Sequence, residues 1–111
     1  MEGMYDSFLN QDSEKSDFRL VGVLSEITEE LINAVVKFPE YPTDPLHALA
    51  ILGEEYGELN KAVLQSTYEP HKTNLEEVKM EAIQTAAMAI RFILSLEEFN
   101  YEKSIQHKQE L

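Results

Sequence analysis

Residues 75–98, LEEVKMEAIQTAAMAIRFILSLEE, leave this chain few choices. Leu75, Val78, Ala82, Ala86, Ala89, Ile93 and Leu96 recur at three- and four-residue steps, which predicts one long helix. Ile83, Ala87, Ile90 and Leu94 widen its apolar side past half the circumference. A helix this apolar has to be covered on two sides. The chain has 111 residues and only two other long helical runs with which to cover it. The economical expectation is an all-α bundle completed by a second copy of the chain.

The other two runs are marked by period and by proline. Leu20, Leu24, Ile27, Leu31, Val35 and Phe38 keep a helical step up to FPEYPTDP, where Pro39, Pro42 and Pro45 exclude a continuous helix. Asp44 then offers an N-cap and Pro45 a favoured first-turn residue. Behind them Leu49, Leu52, Tyr56, Leu59 and Val63 form the core stripe of a second helix that ends near Gln65. STYEPHKTN is a turn, and Asn74 with Glu77, or Thr73 with Glu76, reads as a capping box that opens the third helix. Gly53 and Gly57, one turn apart inside the second helix, predict close approach by another helix. The expected architecture is an antiparallel bundle of three main helices plus a short C-terminal helix from Asn100, completed by homo-oligomerisation. Residues 1–17 read as a flexible arm and 18–111 as one domain.

Charge narrows the function. The chain carries 21 acidic and 9 basic residues, a formal net of −12. Such a surface repels phosphate backbones, so a nucleic-acid-binding role is not expected. A phosphorylated small ligand remains compatible if a divalent cation neutralises the carboxylates. There is no cysteine, hence no disulfide framework and no thiolate metal site. Residues 82–96 are the longest apolar-rich stretch, but Gln84, Thr85, Arg91 and Ser95 make it too polar, and it is too short, to span a membrane. The N-terminus lacks a basic start followed by an apolar run. A cytoplasmic protein is expected.

The acids that border the apolar faces carry the functional question. At about 100° per residue, Glu55 and Glu58 lie about 60° apart, with Ile51 and Ala62 between them, beside the core stripe of the second helix. Glu54 lies farther toward solvent. On the third helix Glu81 sits one turn after Glu77, and Gln84 lies about 60° from Glu81. An antiparallel pairing of these helices lets the two acidic edges meet. Converging carboxylates repel one another. A hard cation such as Mg²⁺, with Mn²⁺ as a substitute, resolves that conflict because it takes oxygen ligands and is completed by water and substrate phosphates. A solvated acidic face accounts for the same spacing with no site at all.

EEYGE at 54–58 followed by EEVKMEAIQTAAMAI at 76–90 resembles the MazG-like all-α nucleoside triphosphate pyrophosphohydrolases, in which a helix carrying ExxE is followed by one carrying ExxD. The resemblance covers roughly residues 24–98. It implies Mg²⁺-dependent cleavage of a (d)NTP to a monophosphate and pyrophosphate, in dimers or tetramers whose subunits share helical bundles. By this resemblance Glu55 and Glu58 match ExxE and Glu81 matches the Glu of the second motif, making these three the metal ligands. Gln84 stands where the family has Asp; a neutral amide can hold a water or phosphate oxygen but cannot act as a base. Glu77 is the candidate to supply part of the missing charge, and Glu54 to hold metal or orient the attacking water, with Glu55 beside it. Lys37 and Lys61 are the first candidates to meet phosphate, followed by Lys79, Lys72 and Arg91. Phe38 and Tyr41 are candidates to stack on a base, whereas Tyr56 is expected in the core.

Gln84 and the scarcity of Lys and Arg favour a different class: a catalytically silent helical module that binds a protein partner or senses nucleotide. Intact Glu55, Glu58 and Glu81 favour the enzyme.

Overall fold

The computed structural model describes residues 11–101, with side chains from residue 17 onward. Three α-helices, α1 (Gln11–Lys37), α2 (Pro45–Tyr68) and α3 (Leu75–Leu94), are followed by a single 3₁₀ turn, Leu96–Glu98. The described residues contain no strand. The all-helical expectation therefore holds.

Local chemistry sets the helix ends. Asp44 Oδ1 accepts the Leu46 N–H at 2.9 Å, with Pro45 in the first turn. Asn74 Oδ1 accepts the Glu77 N–H at 2.9 Å, and the Thr73 hydroxyl donates to the Glu77 carboxylate. Of the two possible caps for the third helix, Asn74 is the one used. This helix stops at Leu94 rather than 98, with Ser95 as its C-cap, whose N–H and hydroxyl both return to the Arg91 carbonyl. The second helix runs to Tyr68, beyond the expected Gln65. The first begins at Gln11, so residues 11–17 are helical. Residues 1–10 and the proposed C-terminal helix beyond Tyr101 lie outside the described residues.

α3 lies in the middle. It packs on α2 along one side and on α1 along the other. Thr85 meets Glu55, while Glu77 and Thr73 line a common cleft with Gln65, so α2 and α3 run antiparallel. Lys79 meets Glu26 and Arg91 meets Ala34, so α1 runs parallel to α3. The Pro-rich segment between α1 and α2 must therefore cross the C-terminal end of α3, where it is tied down. The Arg91 guanidinium donates to the carbonyls of Ala34, at 3.3 Å, and Phe38, and lies 5.1 Å from the centre of the Tyr41 ring. The Tyr41 hydroxyl donates to the Ala48 carbonyl at 3.1 Å, and the Asn100 N–H to the Thr43 carbonyl at 2.7 Å.

The centre is built from small side chains. Ala48, Ala62, Ile83, Ala87 and Phe99 are the buried hydrophobic residues, and none of the large side chains described is fully enclosed. Phe99 packs edge-on against Phe92, with ring centres 5.1 Å apart. The stripe expected as the core of α2 is only half covered: Leu52 and Leu59 are half-buried, but Leu49, Tyr56 and Val63 are exposed. On α3 the buried line runs through Ile83, Ala87 and Arg91, while Leu75, Ala82 and Ile93 are exposed, as is Leu96 in the 3₁₀ turn. One chain supplies α3 with two neighbours, and the rest of the apolar circumference stays uncovered. Nor does anything among the described residues approach the glycines, since a Cβ built at Gly53 or Gly57 meets nothing within 4 Å.

Candidate carboxylate site at the helix seams

Thr85 fixes the level at which the two acidic helices meet. Its hydroxyl lies 2.8 Å from the Glu81 carbonyl oxygen one turn back and 3.2 Å from the Glu55 carbonyl oxygen across the seam. Thr85 is thus level with Glu55 across the seam, Glu81 lies one turn nearer the start of α3, and Glu55 and Glu81 are both half-buried.

The electrostatics follow. The Glu55 carboxyl is pushed above the ordinary glutamate range, first by desolvation, then by the charges of Glu81, Glu58, Glu30 and Glu54. The charges that raise it come from all three helices: Glu30 of α1, Glu54 and Glu58 of α2, and Glu81 of α3. Glu30 of α1 is the member that sequence reasoning missed. Its signal was present in principle: Glu30, Asn33 and Lys37 fall at i, i+3 and i+7 on one face of α1.

The remaining candidates divide between two clefts. Glu58, Lys61, Glu77 and Glu81 line a cleft of about 210 Å³ at the turn end of the α2–α3 seam. Lys37, Glu55 and Gln84 line a second cleft of about 350 Å³, together with Glu30, Asn33 and Phe38. Glu54 is exposed and lines neither. Glu77 is engaged at the N-terminus of α3, where Thr73 donates to its carboxylate.

Several candidates have other work. Lys72 pairs with Glu69, and Lys79 pairs with Glu26 at 3.1 Å. Arg91 is 6% exposed and is spent on the carbonyls of Ala34 and Phe38, so it anchors the chain instead of meeting phosphate. Tyr41 is half-buried against that guanidinium. Phe38 stays open, with Lys37 Nζ 5.6 Å from its ring centre. Tyr56, expected in the core, is 60% exposed because α3 meets α2 along the Ala48–Glu55–Ala62 side.

The donor chemistry around Glu55 fits a hard divalent cation: the available ligand atoms are carboxylate and amide oxygens, with no thiolate. As the side chains stand, no three acidic or histidine groups among the described residues come close enough to hold an ion. Comparison with family models, curated proteins and solved structures found no match to this chain. No helix among the described residues is long and apolar enough to cross a membrane.

Proposed function

We propose that this chain is a Mg²⁺-dependent nucleoside triphosphate pyrophosphohydrolase of MazG-like type, converting a (d)NTP and water to a (d)NMP and pyrophosphate. The observation that carries this reading is the environment of Glu55, whose half-buried carboxyl is raised by burial and by the charges of four other glutamates on the three helices. Such an arrangement is self-repulsive at neutral pH, and a divalent cation relieves it.

Glu55, Glu58 and Glu81 are the proposed metal ligands, with Glu77 and Glu54 at the margin. Bound there, a divalent cation supplies charge neutralisation at the phosphates and a more acidic water. The chain's own contribution is placement. Thr85 ties α3 to α2 at Glu55, Lys37 offers a cation in the larger cleft, and Gln84 offers an amide oxygen or N–H to water or phosphate. Phosphoryl-type displacement asks mainly for such positioning and charge compensation. Homo-oligomerisation is part of the proposal, because Leu24, Ile32, Tyr56, Ile93 and Leu94 are too exposed for a finished bundle.

The second reading is a catalytically silent helical module that binds a protein partner or senses nucleotide. Gln84 in place of an acid, and acidic groups too far apart to ligate as they stand, favour it. Incubation of the purified chain with a panel of (d)NTPs and Mg²⁺ or Mn²⁺, assayed for monophosphate and pyrophosphate, decides between the two. Turnover lost in Glu58→Gln supports the enzyme. No turnover by the wild type with any nucleotide leaves the silent module.

A further inference from the structure

α1 turns an uncharged face away from the rest of the chain. Its inner side, with Ile27, Leu31 and Ala34 half-buried, packs on α3, where Lys79 pairs with Glu26 and Arg91 meets the Ala34 carbonyl. On the outer side Phe18, Val21, Ser25, Thr28, Ile32 and Val35 recur at alternating steps of three and four. Such steps draw one seam along a helix, here about 26 Å long at 1.5 Å per residue. All six residues are exposed, Phe18 at 79%, Val21 at 63% and Ile32 at 57%, with Leu24 and Val36 exposed on the flanks. A shallow groove of about 550 Å³ runs among these side chains and is lined by α1 alone. No residue of the seam or its two flanks is charged, in a chain whose formal net charge is −12. Single apolar side chains on a surface are ordinary, but a contiguous uncharged strip marks a contact.

We infer that this seam takes a second copy of the chain, α1 against α1 in an antiparallel two-fold pairing. Phe18 then lies level with Val35 of the second copy, Val21 with Ile32, and Ser25 with Thr28. The inference rests on the self-association proposed above and names a face that makes it. A two-fold contact needs a surface complementary to itself. Along this seam the side chains run large, large, small, small, large, large, an order that reads the same from either end. Antiparallel copies therefore match at every level, and the small centre lets their backbones approach. The Thr28 hydroxyl already donates to the Leu24 carbonyl at 2.7 Å, so it brings no unpaired donor into the contact. Charge points to the same occupant. Two copies repel wherever their acids meet, and the uncharged seam is where they approach at least cost. Glu26 is neutralised by Lys79, which leaves Glu29 at the edge of the groove. A partner of opposite charge finds nothing on the seam to pair with. Glu30 and Lys37 lie on the other side of α1, so pairing here keeps the larger cleft open. Gly53 and Gly57 belong to α2, across α3, so the seam is a separate surface from the glycine pair.

The chain has no cysteine, so Glu29→Cys and Val36→Cys each place one nitroxide label beside the seam without touching its six residues. Pulsed electron paramagnetic resonance then measures the distance between the labels of two copies. In the antiparallel register residue 29 stands about 8 Å along the helix axis from its own counterpart, and residue 36 about 28 Å. The expected result is a short distance at 29 and a long one at 36. Equally short distances at both positions mean parallel pairing and overturn the inference, as does a long distance or none at 29. Sedimentation supplies a second readout. Val21→Glu and Ile32→Glu put charge into the seam and are expected to weaken self-association about tenfold or more, with helix content unchanged by circular dichroism. The labelled chains keep the seam intact, so the distances decide even where these variants fail to fold. Self-association that both variants leave whole overturns the seam and keeps the assembly proposed above, through another face. A wild type that is monomeric at every concentration overturns both and leaves the seam to a different protein. Seam pairing in a chain that turns over no (d)NTP removes the hydrolase and keeps the seam.

Discussion

The Thr85 hydroxyl stands 3.2 Å from the Glu55 carbonyl oxygen, linking the middle of α3 to the middle of α2 at the level of the acidic cluster. Its single proton also has the Glu81 carbonyl at 2.8 Å, so the cross-helix contact is the weaker arm of a shared bond. Thr85→Val keeps the shape and removes the proton. Urea denaturation is expected to show a loss of about 0.5–1.5 kcal/mol, with helix content unchanged by circular dichroism.

Glu55 makes the stability of the metal-free chain depend on pH in a definite sense. Its folded-state carboxyl lies above the ordinary glutamate value of 4.5, so the folded chain binds its proton more tightly than the unfolded chain does. The associated stability is fully present below the ordinary value and is lost as pH rises through the raised one. At neutral pH Glu55 is then an unfavourable buried charge. In EDTA, Glu55→Gln is expected to raise the melting temperature at pH 7, with the gain shrinking toward zero below pH 4.5.

Arg91 is a buried cation with carbonyl partners rather than carboxylates. It satisfies the carbonyls of Ala34 and Phe38 at the end of α1 and supports the Tyr41 ring. Arg91→Leu leaves those groups unpaired and is expected to cost about 2–3 kcal/mol in chemical denaturation. Hydrogen exchange should quicken first over residues 38–44.

Gly57 separates the chain's own packing from its assembly. Within the chain, Ala at this position meets open space, and the helix gains about 0.5–1 kcal/mol. In the proposed oligomer the glycine pair is where a second copy's helix comes close. Sedimentation of Gly57→Ala is therefore expected to show weaker self-association than the wild type, even as the helix itself is stabilised.

What could be read from the sequence and what could not separate along physical lines. Pro45 and Asn74 mark the starts of α2 and α3 because capping and proline stereochemistry act over a few residues. The antiparallel pairing of α2 and α3 follows from the helical period and a short turn. Glu30 was legible only as one of three polar residues, with Asn33 and Lys37, on one face of α1; that this face meets α3 is dictated by nothing local. Arg91 reads as a surface or snorkelling residue by the same logic, and is buried only because the segment after α1 passes over it. Tyr56 sits on the expected core stripe yet is exposed, since the stripe is wider than the single neighbour the chain provides.

The central claim is that acids from α1, α2 and α3 share one place and tolerate one another through a divalent ion. Titration of Mn²⁺ into the metal-free chain, followed by the electron paramagnetic resonance signal of the free ion, tests it most directly. The account predicts saturable loss of that signal in the wild type, with affinity about tenfold or more weaker in Glu55→Gln and in Glu81→Gln. A wild-type chain that leaves the free-ion signal unchanged, or binding that both substitutions leave intact, would contradict it.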